Sequence, residues 1–299
     1  MIPRALLAAL VLAAAVRAQG PNTVTMQSLN ARDILYLLGG GGANALALMR
    51  DDGVVLIDTK LPGWGQSIAN AIAGVSDKPV TTIINTNADA DHTGGNVAFP
   101  AVVRIIAHQK TKARMRKMEA FQGPNARFLP NETVTDKLSL LDGLDRIDLY
   151  YFGAGHTDGD LVVVYPEKHV AYLGDLFPSK AAPLIDTANG GSGVAFPQTL
   201  AKAVAGIKGV NQVITGHYLA TANPLDVKYL NFAQTMTWND LREYADFNRD
   251  FLAAVQEAIR AGRSADEAAA TLKLPDKYKD YDMRRAKENV QMIYTELKK

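Results

Sequence analysis

The 299-residue chain has no cysteine. A disulfide framework, a thiolate nucleophile and a Cys-ligated zinc site are therefore all excluded, and any metal must be held by nitrogen and oxygen. Neither sign of charge is in excess: 32 Lys and Arg stand against 31 Asp and Glu, a net charge of +1. That balance gives no electrostatic argument for nucleic acid or for an anionic membrane surface. Long hydrophobic runs are scarce as well. The one present lies near the N-terminus, where Arg4 precedes an apolar run over residues 5–16 and small residues follow. This is the layout of a secretory signal peptide over residues 1–18, cleaved after Ala18 in the Val16-Arg17-Ala18 context. The run is too short to span a bilayer comfortably, and an uncleaved anchor is the alternative reading. The expectation is an exported protein, periplasmic or secreted, without stable membrane insertion after cleavage.

What is present is ample core material: 47% of the residues are hydrophobic, enough for one large domain or two small ones. Short apolar segments alternate with turn signals, predicting strands over residues 33–38, 45–49, 54–58, 80–84 and 102–107. Further strands are predicted over 133–138, 146–152, 161–165, 169–173 and 212–215, and helices over 66–75, 110–119 and 198–207. The two halves share a strands-then-helix rhythm, which predicts an α/β layered fold with two sheets face to face and helices outside. From Asn223-Pro224, a good helix start, apolar residues recur at helical spacing through Leu230, Phe232, Leu241, Tyr244, Phe247, Phe251, Val255 and Ile259. Ser264 and Glu267 form a capping box for a short helix, and residues 277–297 read as a charged helix. The division expected is therefore a layered unit over 28–222 and a helical C-terminal extension over 223–299 that carries no ligand constellation.

The segment from Asn85 to Asn96, NTNADADHTGGN, concentrates metal-binding chemistry. Asn87, Asp89, Asp91 and His92 fall within six residues directly after an apolar strand, and Gly94-Gly95 closes the segment. Asp and His are common metal ligands, although such acidic alternation also binds calcium or forms a solvated turn. Three later segments repeat one device, in which an apolar strand ends in glycine and then a strong ligand: Gly155-His156, Gly174-Asp175 and Gly216-His217. Glycine lets the backbone turn sharply there, aiming the next side chain across the sheet edge. Four strand ends would thus gather Asp91, His92, His156, Asp175 and His217. The other two of the five histidines read as structural, His108 as a packed or capping residue and His169 as a surface residue in a turn.

With these residues in view, the chain resembles the metallo-β-lactamase superfamily, whose signature is Thr-His-x-His-x-Asp-His followed by Gly-His, Gly-Asp and a final His. Thr86, Asp91, His92, His156, Asp175 and His217 match that signature, and Asp58, at the end of a strand, resembles the family's early Asp that supports the ligands from behind. The resemblance implies an αββα sandwich with metals at the sheet edge. It implies one metal site from positions 87 and 89 plus His156, and another from Asp91, His92 and His217, with Asp175 bridging. The departure is that Asn87 and Asp89 stand where the family has two histidines. Oxygen-rich sets suit harder ions than zinc. The expected cofactor is therefore one divalent ion, zinc, at the site of Asp91, His92, His217 and Asp175. A second, harder ion such as manganese or iron is the other outcome.

The functional expectation is a metal-dependent hydrolase of a small-molecule ester, lactone, β-lactam or related bond. A bound ion lowers the pKa of water and so generates hydroxide for attack, and Asp91 orients that water or accepts its proton. The alternative is a non-catalytic binding protein in which the changes at 87 and 89 have crippled a dinuclear site. Trp64 is a candidate lid or a locally packed ring, and Lys180 a candidate partner for a substrate carboxylate or a solvated side chain. The C-terminal helices could cover the site or form a dimer face.

Overall fold

The computed structural model describes residues 22–29, 34–217 and 235–298; the signal region and the Asn223-Pro224 helix start lie outside these. The described residues form two sheets. The first holds β1 (Thr25–Ser28), β2 (Leu35–Gly39), β3 (Ala45–Arg50), β4 (Gly53–Ile57), β5 (Val80–Asn85), β6 (Arg104–His108) and β7 (Glu132–Val134), in that order. The second holds β8 (Lys137–Leu140), β9 (Ile147–Tyr150), β10 (Val162–Tyr165), β11 (Val170–Tyr172), β12 (Gln212–Ile214) and β13 (Thr235–Thr237), with β8 and β13 at its edges.

Strand geometry explains why the sequence shows near-continuous apolar runs and no clean alternation. Successive side chains point to opposite faces, and here both faces are buried. In β3, Leu46 and Leu48 face the second sheet, while Ala45, Ala47 and Met49 face the outer helices. In β10, Val163 and Tyr165 point inward, and Val162 and Val164 point outward. Three apolar layers result: one between the sheets, and one on each outer side. The first sheet is covered by α1 (Gly65–Ala73), with Ile68 and Ile72, and by α3 (Gln109–Met115), with Met115. The second is covered by α4 (Phe196–Gly206), α5 (Trp238–Arg260), α6 (Ala265–Ala270) and α7 (Ala286–Leu297). The architecture is an αββα sandwich with C-terminal helices.

Four expectations are corrected. Residues 133–138 are not one strand: the chain leaves the first sheet after Val134 and enters the second at Lys137. Local pattern could not show this, because both strands are short and both join existing sheets. The helical periodicity before Trp238 does not extend unbroken, since Met236 pairs with Val213 in β13 and Thr237 caps α5 through a capping box with Asp240. The helix predicted over 277–297 begins only at Ala286, because Tyr278 and Tyr281 turn inward to stack around Phe247. The helix predicted over 110–119 ends at Met115. The Ser264–Glu267 capping box forms as expected.

The topology brings the ligands together. Strands β4, β5 and β6 run parallel, as do β11 and β12, and β9 runs antiparallel to β10, which is antiparallel to β11. The C-terminal ends of β4, β5, β9, β11 and β12 lead directly into Asp58 and into the segments carrying the sequence-predicted ligands.

Candidate metal centre

After β5 the chain makes one helical turn, α2 (Ala90–Thr93), with Asp89 at its start. Buried polar residues at both ends hold this turn in place. The Asn85 carboxamide donates to the His92 carbonyl at 3.0 Å and exchanges hydrogen bonds with Asn96, while the Thr59 hydroxyl donates to Asn96 Oδ1 at 2.8 Å. Gly95 is obligatory for packing, since a Cβ there would lie 2.1 Å from the Thr59 carbonyl oxygen. Across the centre, a Cβ on Gly216 would lie 2.6 Å from Asp175 Oδ1, so the strand-end glycine before His217 leaves room for the carboxylate it approaches.

Two triads of ligand atoms form: Asp91, His92 and His217, and Asp89, His156 and Asp175, with the atoms of each lying within 4.8 Å of one another. Asp175 touches both. Its Oδ2 lies 2.9 Å from His92 Nε2 and 3.3 Å from His156 Nε2, and its Oδ1 lies 2.9 Å from His217 Nε2. His156 Nε2 is also 3.0 Å from Asp89 Oδ2, and His217 Nε2 is 3.7 Å from Asp91 Oδ2. His92 Nε2, Asp175 Oδ1 and Asp89 Oδ1 are all buried without an aligned hydrogen-bond partner. Buried polar atoms are seldom left so, and donors that converge without aligning on each other fit a shared cation.

The other ring nitrogens of His92 and His156 are engaged from behind, as metal-binding imidazoles are. His92 Nδ1 donates to Asp58 Oδ2 at 2.7 Å, and His156 Nδ1 donates to the Leu184 carbonyl at 3.1 Å. Asp58 also accepts from the Thr86 backbone N–H at 2.8 Å and from the Thr86 hydroxyl at 2.6 Å, and the Tyr172 hydroxyl lies 3.1 Å from it. This supports the role read for Asp58, which holds a left-handed φ of 59° to make these contacts. The electrostatics agree. Burial disfavours a charged His92, yet Asp175 and Asp58 outweigh it and hold its pKa well above the ordinary value. Burial likewise opposes charge on His156, but Asp175 and Asp89 lift it to about 10. Burial would raise Asp175, yet the neighbouring His92 and His156 keep it well below the carboxylate range. A carboxylate cluster this deep demands positive charge, as protons on imidazole or as a bound cation. The donor set fits a divalent ion, with nitrogen-rich Asp91, His92 and His217 suited to zinc and oxygen-rich Asp89, His156 and Asp175 suited to a harder ion.

Asn87 does not present an oxygen to the centre. Its Oδ1 accepts from the Asp89 backbone N–H at 2.9 Å, which turns its Nδ2 toward Asp175 Oδ2 at 3.0 Å. It therefore stands beside the ligands as a donor that orients Asp175. Trp64 is a half-buried ring packed on the Gly40-Gly41 turn, where a Cβ on Gly41 would fall 2.3 Å from its indole. Lys180 is held by Asp240 at 2.7 Å and Glu243 at 3.5 Å. His108 both caps and packs, accepting from the Lys110 N–H and stacking on Tyr151, and His169 sits in an exposed turn.

Two features escaped the sequence reading. Lys60 is wholly buried, and its ammonium donates to the carbonyls of Leu38 at 2.9 Å and Ala43 at 2.7 Å. Burial pulls its pKa down to about 7, against the pull of Asp58 and Asp91. A lysine directly after a buried strand and Asp58-Thr59 was the available signal. The second is the C-terminal segment. A cavity of about 550 Å³ has Asp89, Asp91, Asp175 and His217 on its floor, and Asp280, Asp282, Arg284 and Arg285 on one wall. A backbone bridge sews that wall on, with Ala182 N–H donating to the Asp282 carbonyl at 2.8 Å.

Comparison with known proteins follows the same lines. The profile of the metallo-β-lactamase superfamily matches residues 38–222, more than half of the chain. The 2,4-dinitroanisole O-demethylase subunit alpha of Nocardioides sp. (strain JS1661) is 30% identical over 148 residues, 48% of this chain and 44% of that subunit. A type 2 metallo-β-lactamase of Bacillus sp. (strain 170) is 26% identical over 180 residues, 58% of this chain and 66% of that enzyme. The chain thus spans less than half of the first relative and just under two thirds of the second. Among solved structures, a metallo-β-lactamase from Pontibacter korlensis superposes with a TM-score of 0.60 at 16% identity, covering 76% of this chain and 100% of that one. A mono-zinc metallo-β-lactamase from Pseudomonas aeruginosa gives 0.59 at 18% identity, covering 76% and 95%. At such identities the likeness is one of fold. Sheets, strand-end ligands and matched profile agree, and this chain belongs to the metallo-β-lactamase superfamily.

Proposed function

We propose that the protein is a metal-dependent hydrolase acting on an ester, lactone, β-lactam or related bond of a small molecule. The observation that carries this reading is Asp175, buried between two ligand triads with its own Oδ1 and His92 Nε2 unsatisfied. Asp91, His92, His217 and Asp175 would hold the preferred single ion, zinc, and Asp89 and His156 complete the donor set for a second, harder one. Such an ion supplies Lewis acidity and a nucleophilic water near neutral pH. Asp91, at 22% side-chain exposure beside His217 at 34%, faces the cavity. It orients the attacking water and takes its proton. Asp58 and the Leu184 carbonyl keep the His92 and His156 rings turned for ligation, and Asn87 steadies Asp175. The relatives named for β-lactam and aryl-ether substrates support bond cleavage without selecting the bond.

One observation favours a second reading, a non-catalytic binding protein: the Asn87 oxygen is committed to backbone, so the position offers no ligand. Elemental analysis followed by turnover of chromogenic esters, lactones and β-lactams, with and without chelator, tests the proposal. Metal-dependent turnover is expected, and turnover indifferent to chelation rules the mechanism out. The double change Asn87→His with Asp89→His separates the readings. A site tuned to its present donors should lose activity by about tenfold, whereas a large gain would mark the native centre as crippled.

A further inference from the structure

Three cationic side chains line the cavity above the ligand floor: Lys180, Arg284 and Arg285. Two are spoken for. Lys180 is neutralised by Asp240 and Glu243. Arg284 is folded onto its neighbour, with Nε 2.8 Å from Asp282 Oδ2. Arg285 has an exposed guanidinium with no hydrogen-bond or ion-pair partner among the described residues. Asp280, on the same wall, makes no ion pair with it, and Asp282, hydrogen-bonded to Arg284, feels the charge of Arg285 without pairing to it.

The backbone that carries Arg285 is firmly placed. Asp282 N–H donates to the Lys180 carbonyl at 3.1 Å, and Ala182 N–H donates to the Asp282 carbonyl at 2.8 Å. Beyond it, the Arg285 carbonyl accepts from Asn289 N–H at 2.9 Å, while the buried Asn289 carboxamide donates to the Pro183 carbonyl at 2.9 Å. On the other side, Tyr278 and Tyr281 are packed around Phe247. A residue with an anchored backbone and an unpaired guanidinium, lining the same cavity as the ligand floor, is placed to read an anionic group on a bound molecule.

We propose that Arg285 selects substrates bearing a second anionic group, a carboxylate or a phosphate-type oxyanion, placed a cavity's width from the bond at the ligand floor. This rests on the hydrolase reading for the word substrate, though not for the binding itself. A cavity of about 550 Å³ accommodates a small molecule with such a spacing. Arg284 and Lys180 frame the same wall without offering free charge, so the recognition falls on one side chain.

The test is calorimetric titration of the full-length protein, zinc-loaded and chelator-treated, with acetate and with succinate, glutarate and adipate. Acetate reaches either the floor or Arg285, whereas a dicarboxylate of suitable length engages both. The expected result is that one dicarboxylate binds about tenfold more tightly than acetate to the zinc-loaded protein. Arg285→Gln should erase that increment, while Arg285→Lys should keep part of it. In chelator-treated protein, acetate and dicarboxylate binding should both weaken on Arg285→Gln. Equal affinity for acetate and every dicarboxylate, or an increment that survives Arg285→Gln, overturns the proposal. Turnover gives an independent arm: 4-nitrophenyl butyrate against mono-4-nitrophenyl glutarate, with the anionic ester favoured through KM in the wild type and the preference lost in Arg285→Gln. If no ester, lactone or β-lactam is cleaved, the hydrolase reading fails while the calorimetric comparison still decides the anion site.

Discussion

Asp175→Asn is expected to strip the protein of tightly bound divalent metal. The side chain approaches His92 and His217 at 2.9 Å and His156 at 3.3 Å, so this carboxylate of one triad also reaches the other. Outer partners of metal ligands alone are worth about 10- to 100-fold in affinity, and a shared ligand should exceed that, so a loss of at least about 100-fold is the expected outcome. Competition titration against a chromogenic chelator measures it, and an unchanged affinity would remove Asp175 from the centre. A pH signature accompanies the change. In chelator-treated wild type, the His156 pKa of about 10 lies above its ordinary 6.5. The stability this provides is complete below about pH 6.5 and is lost as pH rises toward 10. Because Asp175 is the largest source of that elevation, thermal melts of chelator-treated Asp175→Asn should fall less steeply across this window.

Asp58→Ala should produce the largest loss of stability. Asp58 and His92 are both fully buried, and removal of the carboxylate deprives His92 Nδ1, the Thr86 backbone N–H and the Thr86 hydroxyl of their acceptor. Unsatisfied buried donors cost about 1–3 kcal/mol each, and broken buried charge pairs about 3–5 kcal/mol. The charge-pair figure alone, about 4 kcal/mol, corresponds to a drop in melting temperature of roughly 10 °C for a chain of this size. Asp58→Asn is the gentler companion, keeping the shape while losing the charge that holds the imidazole. Its expected effect is about 10- to 100-fold weaker metal binding. A melt and a metal affinity indistinguishable from wild type in both variants would deny Asp58 its supporting role.

The parts of this molecule that were legible in the sequence are those in which chemistry and backbone geometry are neighbours along the chain. A glycine followed by His156, Asp175 or His217 at the end of an apolar strand states both the ligand and the turn that aims it. The layered fold was legible because β3, β4 and β10 are apolar on both faces, as central strands between two cores must be. What stayed hidden depends on the third dimension. Nothing local says that Val134 and Lys137 belong to different sheets. The residue type at position 87 was readable, but which end of its carboxamide faces Asp175 is decided by the Asp89 backbone N–H. The burial of Lys60 went unread because its two acceptors, the carbonyls of Leu38 and Ala43, come from an earlier hairpin. Arg285 looked like part of a charged helix because its meaning lies in a bridge between Ala181 and Asp282.

That bridge separates the inheritance of the two halves of the pocket. The floor is locked: Asp58, Thr86, Asn87 and Asn96 tie His92, Asp175 and the turn that carries His92 to buried neighbours, and a change at any of them unsettles charge that has nowhere else to go. The wall is a loop fastened by main-chain bonds and by Tyr278, Tyr281 and Asn289 to either side, none of which depends on the exposed side chains at 280, 284 and 285. Residues at positions 280, 284 and 285 can therefore be exchanged with little consequence for folding or for the ligand floor below. On the reading proposed above, selectivity would be a replaceable part mounted on a fixed ligand floor, and a change of preference is best sought by varying that loop alone.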